Sequence, residues 1–261
     1  MEKKILYLLT CVGLCWSSCT NEVDEFIGNV EPSTRSVSTA LNANLASLFT
    51  GGAPTLTSAE IKEVNDAYAK MTSINCYRNI DEAVRNKTSY AGTIFLDDTY
   101  ASAYFRKGSL AFPPYGILAS SMEHEFIHMY QRDVQGKKVD TDKEKRDTGM
   151  MEFELAFYQG IIRYIHAGYS WTFKGEDGDP SYQSLWTSGL TDPSLIPQYE
   201  REFQTYVASI CANGKPTSID INEFVKWSNI FGEYSRGYSG KGYKFGNYDY
   251  GTSCINSDSV K

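Results

Sequence analysis

Apolar residues along the chain recur first at helical spacing, then at strand spacing, then at helical spacing again. Residues 38–49 carry a short helical pattern that Gly51, Gly52 and Pro54 interrupt. A second helix opens at Ser58, which can cap it, with Glu60 in its first turn and Ile61, Val64, Tyr68 and Met71 along one face. From about 92 to 112 the runs shorten. GTIFLDD, TYASAYF and GSLAF are rich in β-branched and aromatic residues and are divided by Asp and Gly; they predict two or three antiparallel strands, ended by Pro113 and Pro114. Helical spacing returns over 116–132. A charged loop fills 134–147, and a long helix is predicted over about 148–167. GEDGDP at 175–180 breaks the pattern, two more helical stretches follow near 192–212 and 220–235, and 237–256 alternates Gly with Tyr as loops or a small ribbon. The predicted fold is therefore α+β, with a small antiparallel sheet leading into a helix and a mainly helical C-terminal part.

The first residues stand outside that fold. Lys3 and Lys4 precede a mostly apolar run over 5–16 that is too short to span a bilayer alone, and Ser17-Ser18-Cys19 follows. This resembles a bacterial lipoprotein signal, which implies removal of residues 1–18 and lipidation of Cys19, and hence a cell-envelope protein, held to the outer membrane and facing the periplasm or the surface. Residues 19–37 are polar and acidic and read as a tether, leaving 38–261 as one domain. Losing 1–18 takes two bases and one acid from a chain of net charge −7, leaving −8; such a domain does not seek nucleic acid. With Cys19 lipidated, Cys76, Cys211 and Cys254 remain, enough for one disulfide, to which Cys211 and Cys254 are the leading candidates.

The chemistry is concentrated in His124-Glu125-Phe126-Ile127-His128, an HExxH on the helix predicted for 116–132. At about 100° per residue, positions i and i+4 differ by roughly 40°, so both imidazoles leave one face and reach one ion. Zinc accepts imidazole nitrogens and keeps an open position when only three protein ligands bind. Glu125 points about 100° away from His124, badly placed to bind the same ion but well placed to act as general base on a water beside it. Gln131 shares the ligand face, three residues after His128, and is a candidate to hydrogen-bond a ligand or the substrate. His166, the remaining histidine, is too far along the next helix to join this ion and reads as a packing residue.

These runs, the HExxH and the helix after it resemble the zincin superfamily of metallopeptidases over roughly residues 92–167, in the form whose third ligand is a glutamate on a following helix. That resemblance implies one zinc per chain on His124, His128 and a downstream Glu. Two carboxylates compete for that place. Glu152 with Ala156 four residues on fits the family pattern and lies on a strip with Gln159 and Arg163; Glu154 lies among Met150, Tyr158, Ile161 and Ile165, where a carboxylate needs a partner that a metal could provide. The two point about 200° apart, so only one can be the ligand. The family pattern favours Glu152, with Glu154 as the alternate.

The expected activity is peptide-bond hydrolysis: zinc lowers the pKa of its water, Glu125 takes the proton, and the proton passes to the leaving amine. A peptide or protein is the substrate that the resemblance implies. The alternative is a non-catalytic surface lipoprotein that uses a zincin-like scaffold to bind protein or glycan; an intact Glu125 argues against it, because a binding module does not need that base. IDINEF at 219–224 ends like a calcium-binding loop, but Ala212, Gly214 and Pro216 stand where carboxylates are needed. Tyr238, Tyr243, Tyr248 and Tyr250 could donate to an oxyanion, and nothing in the sequence selects one.

Overall fold

A computed structural model describes residues 40–100, 102–137, 145–166, 192–210 and 220–234. The predicted signal and tether, the 175–180 break, the Gly/Tyr segment, Cys211 and Cys254 lie outside the described residues, as do the side chains of Arg163, Ile165 and His166. The one cysteine among the described residues, Cys76, is free.

Helix α1 (Ala43–Leu48) is opened by Asn42, whose side chain accepts the Asn44 N–H at 2.9 Å. Helix α2 (Ser58–Ser73) begins at the expected cap itself, and its cap lies one residue earlier. Thr57 is the N-cap: its hydroxyl accepts the Glu60 N–H, and the Glu60 carboxylate accepts the Thr57 N–H at 2.6 Å. The reciprocal pair satisfies two otherwise orphan donors, so Ser58 becomes the first helical residue. Val64, Tyr68 and Met71 face the core as the spacing predicts, and Ile61 is half-buried.

Helix α3 (Asn75–Lys87) has no counterpart in the sequence reading. Its buried face is Tyr77, Ile80, Asp81 and Val84. The spacing is helical, but one of the four positions is an acid, which hides the apolar stripe. Asp81 can be buried because its Oδ2 accepts the Tyr68 hydroxyl of α2 and both Nε and Nη2 of Arg85, each at 2.9 Å.

The sheet is mixed, not antiparallel. Strands β1 (Ile94–Leu96), β2 (Tyr104–Arg106) and β3 (Ser109–Phe112) run in the order β1-β3-β2. β2 and β3 form a hairpin whose turn residues, Lys107 and Gly108, both have positive φ (50° and 78°), as a tight two-residue connection requires. That turn returns β3 between β2 and β1, where it pairs with β1 in parallel through Ile94↔Leu110, Phe95↔Ala111 and Leu96↔Phe112. The loop after β1 carries the chain to the far edge first, so the first strand and the last end side by side and point the same way. Gly92 lets this region close: a Cβ there would stand 2.3 Å from the Gly108 carbonyl oxygen.

Helix α4 (Ala119–Met129) follows the sheet and continues into a π-helical turn (Tyr130–Val134). α2 and α3 pack on α4 from the N-terminal side of the chain, and α5 (Lys145–His166) packs on it from the C-terminal side. A short 3₁₀ turn (Pro193–Leu195) leads into α6 (Ile196–Ile210), and α7 (Ile221–Tyr234) follows. Asp220 caps α7 by accepting the Asn222 N–H at 2.6 Å, which is the structural use of the IDINEF acid. Phe153 and Phe157 of α5 interlock edge-to-face with Phe203 of α6 and with Phe224 of α7. Among the described residues, no helix is long and apolar enough to cross a membrane.

Candidate metal centre

Helix α4 is a central helix: nine of its eleven residues are buried, which distinguishes it from a surface helix bearing a chance motif. His124 and Glu125 are therefore held in low-dielectric surroundings, where polar groups need partners. The i, i+4 spacing brings the two imidazole rings to 4.8 Å between centroids, nearly perpendicular. Their Nε2 atoms approach to 3.2 Å.

Glu152 of α5 completes a triangle. Its Oε1 lies 3.2 Å from His128 Nε2 and its Oε2 lies 3.7 Å from His124 Nε2. His124, His128 and Glu152 are thus three electron-pair donors converging on one spot, a group that could hold a metal ion. The edges test the fit. Tetrahedral zinc with bonds of about 2.0–2.1 Å sets its ligand atoms about 3.3–3.4 Å apart; the two Nε2 atoms and the nearer carboxylate oxygen at each histidine lie 3.2–3.7 Å apart, and one donor atom from each of the three residues lies within 4.8 Å of the others. Two nitrogens and one carboxylate oxygen suit zinc, and three protein donors leave a fourth position open.

Glu154 is elsewhere. It is fully buried, as its apolar neighbours on the helix predict, but its partners are protein groups: its Oε2 accepts from Lys137 Nζ at 2.8 Å and from Gln131 Nε2 at 2.7 Å. The two carboxylates of α5 are separated as their phase requires, one at the histidines and the other behind them. The strip beyond Glu152 is drier than the sequence suggests, since Ala156 and Gln159 are both buried.

Gln131 stands in the π-helical turn, itself fully buried. Its Oε1 is 3.0 Å from His128 Nδ1, and its Nε2 also donates to the Met151 carbonyl at 3.0 Å. The wide turn is held from the sheet side, where the Tyr90 hydroxyl donates to Asp133 and the Arg132 guanidinium stacks 4.3 Å from the Phe105 ring centroid. Gly136, at φ 72°, ends it and brings in Lys137. Lys137 was missed by sequence reasoning, which put it in a solvated charged loop; only its pairing with Glu154 draws it in. A second group without a sequence signal is the backbone of Phe105 in β2, whose proximity lowers the proton affinity of Glu125.

The electrostatics follow from burial and crowding. Burial, joined by the neighbouring charge of His128, pushes the His124 imidazole down to about 4. Burial also opposes a proton on His128, but the Glu152 carboxylate beside it, helped by Glu125 and Gln131, holds it up at about 9. Burial raises Glu125 to about 8, against the pull of His128 and the Phe105 backbone. Without a metal, one proton on His128 does what a cation at the centre of the triangle would do.

His166 ends α5, with its side chain outside the described residues, as are Tyr238, Tyr243, Tyr248 and Tyr250. No protein-family model, no curated protein and no solved structure matches this chain.

Proposed function

We propose that this chain is a zinc-dependent peptidase with one metal per chain on His124, His128 and Glu152. The observation that carries the reading is the convergence of His124, His128 and Glu152, with one donor atom from each within 4.8 Å of the others, beside a buried Glu125 that takes no part in it. Zinc at that position supplies Lewis-acid activation of a water and of the scissile carbonyl. The chain's own residues do the proton work. Glu125, buried beside the histidines, accepts the proton of the attacking water and delivers it to the leaving amine. Its proton affinity, raised by burial and drawn down again by a cation beside it, suits a group that must take and return a proton near neutral pH. The zincin resemblance of the HExxH and the downstream glutamate supports a peptide substrate, and the Lys3–Cys19 pattern supports export and lipid anchorage at Cys19.

The test is made on the purified full chain. Elemental analysis is expected to give one zinc per chain, and mass spectrometry of a mixed peptide pool is expected to show cleavage that stops with chelator and resumes with zinc. A protein that takes up no stoichiometric zinc after add-back overturns the metal; one that binds zinc, cleaves nothing and is indifferent to Glu125→Gln overturns the peptidase.

A further inference from the structure

We infer that Gln131 is a positioning residue for His128, and that the acceptor oxygen of the buried Glu154, shared with Lys137, holds it in that role. The inference rests on the metal reading for its consequence, but its geometry is independent of any ion.

An amide side chain can be turned either way, so the direction of its hydrogen bonds must be argued from its partners. The Gln131 Nε2 has two acceptors in reach, the Met151 carbonyl at 3.0 Å and Glu154 Oε2 at 2.7 Å. Neither can donate as a carbonyl or a carboxylate, so the NH₂ must face them. That leaves Oε1 toward His128 Nδ1 at 3.0 Å, and Nδ1 must carry the proton it donates. The His128 ring is thereby oriented with Nε2 toward His124 and Glu152, where an electron pair is needed. Glu154 would be costly to bury alone; Lys137, with only 8% of its side chain exposed, donates to the same oxygen at 2.8 Å. The run Lys137–Glu154–Gln131–His128 thus ties α5, the π-helical turn and α4 together.

A ligand histidine's second nitrogen commonly donates to an acceptor that fixes the ring, and removing that acceptor typically costs 10–100-fold in metal affinity. Here the acceptor is a neutral amide whose own orientation is set by a buried acid. Replacing Glu154 with Gln keeps an oxygen for Gln131 and for Lys137, whereas replacing Gln131 with Ala or Met removes the acceptor for Nδ1–H.

The experiment uses the full chain labelled with ¹⁵N-histidine, metal-free and after zinc addition, together with zinc titration against a competing chelator. In the wild type, the His128 Nδ1 proton is expected as a slowly exchanging signal in both states. Gln131→Ala and the same-length Gln131→Met are expected to lose that signal and to weaken zinc about 10–100-fold while still binding one ion; Glu154→Gln should stay within a few-fold of wild type. A wild-type His128 with no proton on Nδ1, or Gln131 variants that keep both the signal and the affinity, overturns the inference while leaving the metal centre standing. If the signal depends on Gln131 but the wild type takes up no zinc, the positioning is upheld and the metal reading is the part that fails.

Discussion

Two of the buried charge clusters among the central helices are built on opposite terms. Between α2 and α3, Asp81 meets Arg85 and the Tyr68 hydroxyl, so a negative charge is matched by donors at 2.9 Å. Between α4 and α5, His124, His128 and Glu152 bring three electron pairs to one point, with Glu125 close behind. The first cluster matches its charge within the chain, all through Asp81 Oδ2 while Oδ1 is buried without a hydrogen bond, and it joins two helices. The second could hold a cation, and its histidines are driven apart in proton affinity, His124 downward by burial and His128 upward by the Glu152 carboxylate. Burial alone does not separate a functional cluster from a structural one; what separates them is whether the opposite charge is already supplied by the chain.

The comparison breaks most visibly at Glu125. Glu125→Gln keeps the shape and removes the base, so turnover of a cleaved peptide should fall on the order of 10²–10⁴-fold, with zinc content unchanged by elemental analysis. Loss of the metal in this variant would mean that Glu125 is itself a ligand.

Ala at His124, His128 or Glu152 removes one corner of the triangle. Competition titration should show zinc weakened on the order of a hundred- to a thousandfold, roughly one ligand's share of the free energy of a zinc site. A Glu152→Ala protein that binds zinc as wild type does would move the third ligand off α5.

Asp81→Ala tests the other cluster. It leaves Arg85 and the Tyr68 hydroxyl without their acceptor and should lower stability by about 2 kcal/mol in urea unfolding, with zinc affinity unchanged. A loss of zinc equal to that in Glu152→Ala would show that the two clusters are not independent.

A change of pH sharpens the electrostatic contrast. His128 is held protonated to about 9 in the metal-free state, so loading zinc near pH 7 must release that proton. Affinity should therefore rise with pH between 7 and 9, by about tenfold per unit for each proton released. Calorimetry in buffers of different ionisation heats reads the release directly, and zinc uptake with no proton release would contradict the charge on His128.

Local features were legible in the sequence and nonlocal ones were not. The HExxH could be read because i, i+4 spacing puts two side chains on one helix face whatever surrounds that helix. The burial of Val64, Tyr68 and Met71 followed from the same periodicity, as did the separation of Glu152 from Glu154 by helical phase. α3 escaped because Asp81 occupies a core position, and an acid reads as surface until its partner from α2 is known. The antiparallel expectation for the sheet failed at β1, since strand order depends on where the loop after β1 crosses and on the Lys107–Gly108 turn, and not on alternation within the strands. Lys137 looked solvated for a similar reason.

By itself, the sequence determined that two imidazoles share one face of a helix, that a carboxylate follows each of two phases of the next helix, and that the chain is α+β. Those are consequences of backbone period and side-chain chemistry, which act within a few residues. Only the tertiary structure decided which phase of α5 meets the histidines. The packing of α5 on α4 turns Glu152 to His124 and His128 and leaves Glu154 to be neutralised by Lys137 and Gln131. That choice depends on which helix faces bury together and which charges find partners across more than a dozen residues of sequence, and periodicity carries no information about either.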